Sequence, residues 1–339
     1  MSVDRIPVNL VTGFLGSGKT TLIARLLQQE GLAGTLVVVN EFGEIGIDHD
    51  LLEASSDDTI LLANGCLCCT IRGNLVDTLL DVLVQRADGR LRAFDRVIVE
   101  TSGVADPAPI LGFVFGEPRI EAHYRFGVVV TTCDAVAGAA LLDRHQEAVS
   151  QIALADELLI TKADLVSSAA FDALATRLRH LNATARIRRS LHGDGLDPAL
   201  FVSSERSSHC VPGCRNSQDH DRHGHDHGQA AVDHTRRFTT MVLEARRALS
   251  IPELDELVAA IRRCAGPELL RLKGLLALAD GPGCGVIQAA PNYVHAPTLL
   301  SGPSPHPGRL VLIAEGTPAP ALLAALSTFG FVSTTRMLS

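Results

Sequence analysis

VNLVTGFLGSGKTTLIARLLQQ, Val8 to Gln29, is the stretch of sequence that decides the fold. It opens on a short run of apolar and branched residues, turns through glycines, and continues as a helix-length run. Within it Gly13, Gly18, Lys19 and Thr20 match G-x-x-x-x-G-K-[ST], with the required strand before and helix after. Such a loop holds the phosphates of a nucleoside triphosphate, because its glycines let backbone N–H groups wrap the anion at the positive end of the helix. Gly13, Gly16, Ser17, Gly18, Lys19, Thr20 and Thr21 are therefore the expected phosphate-binding residues. Lys19 reaches the outer phosphates as a catalytic group, and the Thr20 hydroxyl takes a place on Mg²⁺.

Outward from this loop, residues 8–12, 35–39, 96–100, 127–132 and 157–161 are short apolar runs rich in branched side chains. Helix-length stretches such as 20–29 and 74–86 separate them, which predicts an α/β domain with a mainly parallel sheet covered by helices. A further strand is expected near Ile187 to Ser190. Beyond residue 203 the pattern collapses into a polar tract that cannot bury enough surface to order itself. After the tract, RRFTTMVLEARR, ELLRLKGLLALAD, GVIQAAPNYVHA and GRLVLIAE read as strands, with helices over 251–264 and about 319–327. The expected organisation is a P-loop domain over 1–203, a mobile histidine-rich linker over 204–235, and a smaller C-terminal α+β domain over 236–339.

Composition excludes several classes. A net charge of −8 with no basic block argues against nucleic acid or an anionic membrane as partner. No stretch reaches the roughly 18 apolar residues of a membrane span, and the N-terminus lacks the charged start and apolar run of a secretion signal, so a cytoplasmic location is expected. There the eight cysteines favour metal or redox chemistry over structural disulfides. Of the 30 basic residues only Lys19, Lys162 and Lys273 are lysines, and each falls in a motif-like segment, GSGKT, TKAD or RLKG. An ammonium is therefore expected to be needed where a guanidinium fork does not fit.

RVIVETSG places Glu100 and Gly103 at the carboxyl end of an apolar strand, where open α/β sheets gather ligand groups. Glu100 stands where P-loop enzymes usually carry aspartate, and is expected either to contact the magnesium shell or to polarise the attacking water. Gly103 is expected to donate its N–H to the γ-phosphate. TKAD, with Thr161, Lys162 and Asp164, resembles the [NT]KxD base-reading element of GTPases: Asp164 accepts from guanine N1 and N2, and the Lys162 stem lies along the base.

NGCLCC puts Cys66, Cys68 and Cys69 within four positions after a strand-like TILLA. Three thiolates at about 2.3 Å leave a tetrahedral ion one open position, which suits exchange, and soft sulfur selects Zn²⁺ or Cu⁺, with Co²⁺ as an alternative. Redox chemistry at adjacent thiols is the rival reading. Glu44 and His49 are candidate fourth ligands. In the linker His220, His223, His225 and His227 stand among further His, Cys and Asp residues, a weak and irregular metal-binding composition.

GFLGSGKTT, VNEFGEIGID, NGCLCC, VIVETSGVADP, TKAD, the histidine tract and RLKG together resemble the CobW-like family of metal-handling P-loop GTPases, over nearly the whole chain. The resemblance implies hydrolysis of GTP to GDP coupled to delivery of zinc or cobalt to a client metalloprotein, with the thiol loop between two nucleotide-responsive segments. It also implies an acidic position at Glu44. TKAD departs from the commoner NKxD at Thr161. The expected function is a slow GTPase metallochaperone using GTP, Mg²⁺ and Zn²⁺, with a nucleotide- or metal-dependent homodimer considered. The alternatives are a zinc buffer with vestigial nucleotide turnover and a P-loop phosphotransferase.

Overall fold

The strand that opens the decisive stretch, β1 (Ile6–Gly13), is buried along its whole length and sits inside a seven-stranded sheet. The computed structural model describes residues 5–29, 31–40, 60–63, 71–182, 184–191, 196–201, 238–290, 293–302 and 307–333. β1 is flanked by β4 (Arg96–Thr101) and β5 (Tyr124–Asp134). Outside these lie β2 (Thr35–Asn40) and β3 (Ile60–Ala63) on one side, and β6 (Glu157–Thr161) and β7 (Arg186–Arg189) on the other. The order is β3-β2-β4-β1-β5-β6-β7, with every pairing parallel.

Parallel strands need crossovers, and helices supply them. These are α1 (Lys19–Leu27), α2 (Ile71–Ala87), α3 (Pro107–Phe115), α4 (Pro118–Glu121), α5 (Gly138–Arg144), α6 (Gln146–Leu154) and α7 (Ser168–Leu181). Leu22, Ile23, Leu26 and Leu27 of α1 pack on Val11, Val37, Ile98, Val130 and Leu159, one face of the sheet. Alternation turns Leu10, Val99 and Val129 to the other face, where α6 lies on β1 and β5. Burial on both faces explains why these strands read as unbroken apolar runs. The edge strand β7 is RIRR, whose charges discourage pairing with another chain.

The chain divides near Ser207 into two compact units. The C-terminal unit is a second sheet built from β8 (Phe238–Ala245), β9 (Leu269–Ala277), β10 (Gly283–Ala290), β11 (Tyr293–Val294), β12 (Thr298–Ser301), β13 (Gly308–Glu315) and β14 (Phe331–Ser333). Its order is β11-β10-β9-β13-β8-β14, with β12 paired to β10. The pairings among β8, β9, β10, β12, β13 and β14 are antiparallel, giving the expected α+β architecture. Helices α8 (Ile251–Cys264) and α9 (Pro320–Thr328) cover one face through Leu254, Leu257, Ile261, Leu322 and Leu326 on Leu272, Leu276 and Leu312. Arg271 and Lys273 take the other parity of β9, with Lys273 opposite Gln288 and Val311. No helix among the described residues is long and apolar enough to cross a membrane.

Candidate nucleotide site

The carboxyl ends of β1, β4, β5 and β6 lie side by side, and those of β1, β4 and β6 carry the motifs. After β1 the chain turns through Gly13 (φ +141°), Gly16 (φ +70°) and Gly18 (φ +95°) before α1 begins at Lys19. Gly13 has no room for a side chain: a Cβ there would lie 2.4 Å from the carbonyl oxygen of Thr132. Around Gly16 the space is open, which leaves the outer side of the loop to a ligand.

Ser17 braces this loop from behind. Its N–H donates to Phe14 O at 3.1 Å, its hydroxyl shares a 2.7 Å hydrogen bond with that of Thr132, and its carbonyl accepts from Thr161 Oγ1 at 2.8 Å. Lys19 is 6% exposed, unusual for a lysine, whereas Thr21 is exposed. Thr20 Oγ1 donates to Glu100 Oε1 at 2.7 Å across 80 residues of sequence, and Glu100 is 2% exposed. A hydroxyl and a carboxylate held together are hard oxygen ligands of the kind Mg²⁺ takes alongside phosphate oxygens, so these residues fit the ion. Behind them Thr101 Oγ1 donates to Thr12 Oγ1 at 2.7 Å, locking β4 to β1.

Gly103 is buried and approaches the phosphate loop so closely that a Cβ on it would lie 2.6 Å from Leu15 N. Its glycine is a matter of contact rather than of backbone angle. Thr161 ends β6 and Lys162 and Asp164 follow it, with Asp164 exposed in a short 3₁₀ turn, Ala163–Leu165. Lys162 has φ 54°, the one positive φ at a non-glycine among the described residues. A left-handed residue with a Cβ costs about 1–2 kcal/mol. Here its ammonium pairs with Asp134 Oδ2 at 2.6 Å, and its carbonyl accepts from Leu165 N. Asp134 also accepts from the N–H groups of Val136 and Ala137, so its carboxylate is fixed before it meets the lysine.

The structure thus brings Gly13, Gly16, Ser17, Gly18, Lys19, Thr20, Thr21, Glu100, Gly103, Thr161, Lys162 and Asp164 to one edge of one sheet. Cys66, Cys68, Cys69, Glu44, His49, His220, His223, His225 and His227 lie outside the described residues. Among the described residues no group of three or more His, Cys, Asp or Glu is arranged to hold a metal. Cys133, Cys264 and Cys284 are free there, and burial first, then the charge of Asp134, pushes the Cys133 thiol up to about 12. Thr132, Asp134 and Gln151 were not visible in the sequence as site residues. The first two end the run VVVTTCD, and the carboxyl end of a parallel strand was the available signal.

The family model for the CobW/HypB/UreG nucleotide-binding domain matches residues 7–189, and that for the cobalamin synthesis protein cobW C-terminal domain matches residues 238–329. The chain is 30% identical over 286 residues to the zinc chaperone YjiA of Escherichia coli K12, covering 81% of this chain and 82% of that protein. It is 29% identical over 309 residues to the zinc chaperone CobW of a Sinorhizobium species, covering 82% of each. A crystal structure of a Zn(II)-bound triple mutant of the YjiA GTPase superposes with a TM-score of 0.66 at 26% identity, covering 96% of this chain and 99% of that one. With a glycine-turned phosphate loop, an acidic strand end and a TKAD turn on one parallel sheet, followed by the matching second domain, the chain belongs to the CobW/HypB/UreG family.

Proposed function

We propose that this protein is a slow GTPase metallochaperone of the cytoplasm, in which nucleotide state governs whether Cys66, Cys68 and Cys69 hold or release zinc for a client metalloprotein. The observation that carries this reading is the strand order β3-β2-β4-β1. The segment containing Glu44 leaves β2 at Asn40, the thiol segment leaves β3 after Ala63, the ETSG turn leaves β4, and the phosphate loop leaves β1. The four strands end at the same edge of one parallel sheet, which supports coupling between the segments that follow them. The names of the zinc-chaperone relatives favour zinc over cobalt as cargo.

In this reading Lys19 and the loop N–H groups hold the phosphates, Thr20 and Glu100 hold Mg²⁺, and Asp164 accepts from the guanine edge while the Lys162 stem supports the ring. Bound Mg²⁺ neutralises charge on the phosphate oxygens. The alternative role for Glu100, which Thr20 engages, is to polarise the attacking water. The exposed Leu15, Val104, Val136 and Leu165 stand on the loops after β1, β4, β5 and β6, an apolar rim that favours a second copy closing over the nucleotide.

The test is linkage. Nucleotide must alter zinc affinity by the factor by which zinc alters nucleotide affinity. Zinc titrations with GDP and with a non-hydrolysable GTP analogue are expected to differ by about tenfold or more, equivalent to about 1.4 kcal/mol. The Cys66/Cys68/Cys69 triple substitution is expected to abolish the difference. Equal zinc affinities in the two nucleotide states would sink the coupling.

A further inference from the structure

The phosphate loop and the ETSG turn are both held by one short helix, α6. At its start the ring of His145 lies against that of Phe14 in the phosphate loop, centroids 4.5 Å apart. Further along, Gln151, which is 1% exposed, donates from its carboxamide nitrogen to Gly103 O at 3.1 Å and to Ala105 O at 3.0 Å. Its neighbour Ser150 donates to Asp106 Oδ1 at 2.6 Å, the oxygen that also caps α3 by accepting from Ala108 N. Thr131 Oγ1 donates to Gln151 O at 2.9 Å and ties the helix to β5. A cavity of about 20 Å³, lined by Phe14, Ser17, Thr132 and Gln151 among others, separates the phosphate loop from the helix.

Two carbonyls two residues apart need two donors from one compact group. A carboxamide supplies both, and neither a carboxylate nor an aliphatic side chain supplies any. We propose that Gln151 is a positioning residue for γ-phosphate discrimination: by clasping the carbonyls of Gly103 and Ala105 it sets the Gly103 N–H at a fixed distance from the phosphate loop. The inference rests on the GTPase reading above and adds that the sensing geometry is imposed from α6. Gln151 is buried with its carboxamide nitrogen committed to the turn, so its effect falls on the difference between GTP and GDP and spares the contacts common to both. Phosphate contacts up to the β-position come from the loop itself, which Ser17 braces independently.

The experiment uses the full chain with Gln151→Met, which removes both donors at similar volume, and Gln151→Asn, which keeps the amide but withdraws it by one methylene. Both are expected to bind GDP as wild type does. The affinity for a non-hydrolysable GTP analogue relative to GDP, and kcat, are expected to fall roughly ten- to hundredfold, the scale of a donor misplaced by about an ångström. Equal losses for GDP and the analogue, or no loss at all, overturn the proposal. An arm that needs no substitution is hydrogen exchange on the wild type. Replacing GDP with the analogue must raise protection in residues 103–106 and in α6 together, and protection confined to the turn overturns it. A wild-type chain that does not distinguish the analogue from GDP removes the GTPase reading and this inference with it, whereas failure in the variants or in α6 alone removes only the inference.

Discussion

Thr161 stands where the commoner base-reading element has asparagine, and its hydroxyl shows what that position has to do. It donates to Ser17 O, buried, across 144 residues of sequence, so the TKAD turn is fastened to the phosphate loop. Thr161→Val keeps the shape and leaves that carbonyl unpaired. The expected cost is about 1–3 kcal/mol of stability, read by urea unfolding, with weaker binding of a fluorescent GDP. Cys133 is a buried free thiol. Its upshifted thiol stays protonated and enclosed at neutral pH, so reagents are expected to leave it unmodified in the folded protein and to modify it after denaturation, as mass spectrometry can show. Lys19, Thr20, Glu100 and Asp164 were singled out from short motifs, and the structure gathers them at the carboxyl ends of neighbouring strands. Asp134, Thr132 and Gln151 were not, because each acts through a partner 28 to 115 residues away and has no local signature.

At the scale of elements, the parallel strands were legible because burial on both faces leaves an apolar run that no other half-exposed element shows. Their limits were less so: β5 extends to Asp134, two residues past the expected end, and so carries the lysine's partner. The short strands β12 and β14 were missed, since three or four residues on a sheet margin carry no periodicity. Helix α8 was expected over 251–264, and its start is fixed by a capping box in which Ser250 Oγ accepts from Glu253 N while Glu253 accepts from Ser250 N. Ser250→Ala is expected to cost about 1 kcal/mol, measurable as a lowered unfolding midpoint. The hydrogen bond from Arg247, then those from Ser250, hold the Glu253 carboxyl down to about 2 from its usual 4.5. A depressed carboxylate stabilises the fold above its unfolded value and loses that contribution as pH falls towards 2. Glu253→Gln is therefore expected to flatten the acid side of the stability profile, read by unfolding between about pH 5 and pH 2.

For the whole molecule, the two-part organisation was legible from the change in pattern between a P-loop domain and an α+β domain. The thiol and histidine segments remain readings of sequence, because their chemistry lies in residue types whose approach no local rule fixes. Deleting residues 209–234 separates their roles. A metallochaperone is expected to keep tight binding of zinc at the thiols and to lose only weak sites, as equilibrium dialysis against competing chelators can measure. The position of β1 has a consequence for how the protein is made. The phosphate loop leaves the ribosome well before β5, yet Gly13 packs against Thr132, Ser17 bonds to it, and β1 has β5 as a flanking strand. At roughly 5–20 residues per second, synthesis from Gly13 to Thr132 takes on the order of 6–24 s. Through that interval the nascent chain carries an apolar strand without β5 beside it, and the loop lacks the packing of Gly13 and Ser17 on Thr132. GTP enters as a stabiliser only after the strand ending at Asp134 has been delivered.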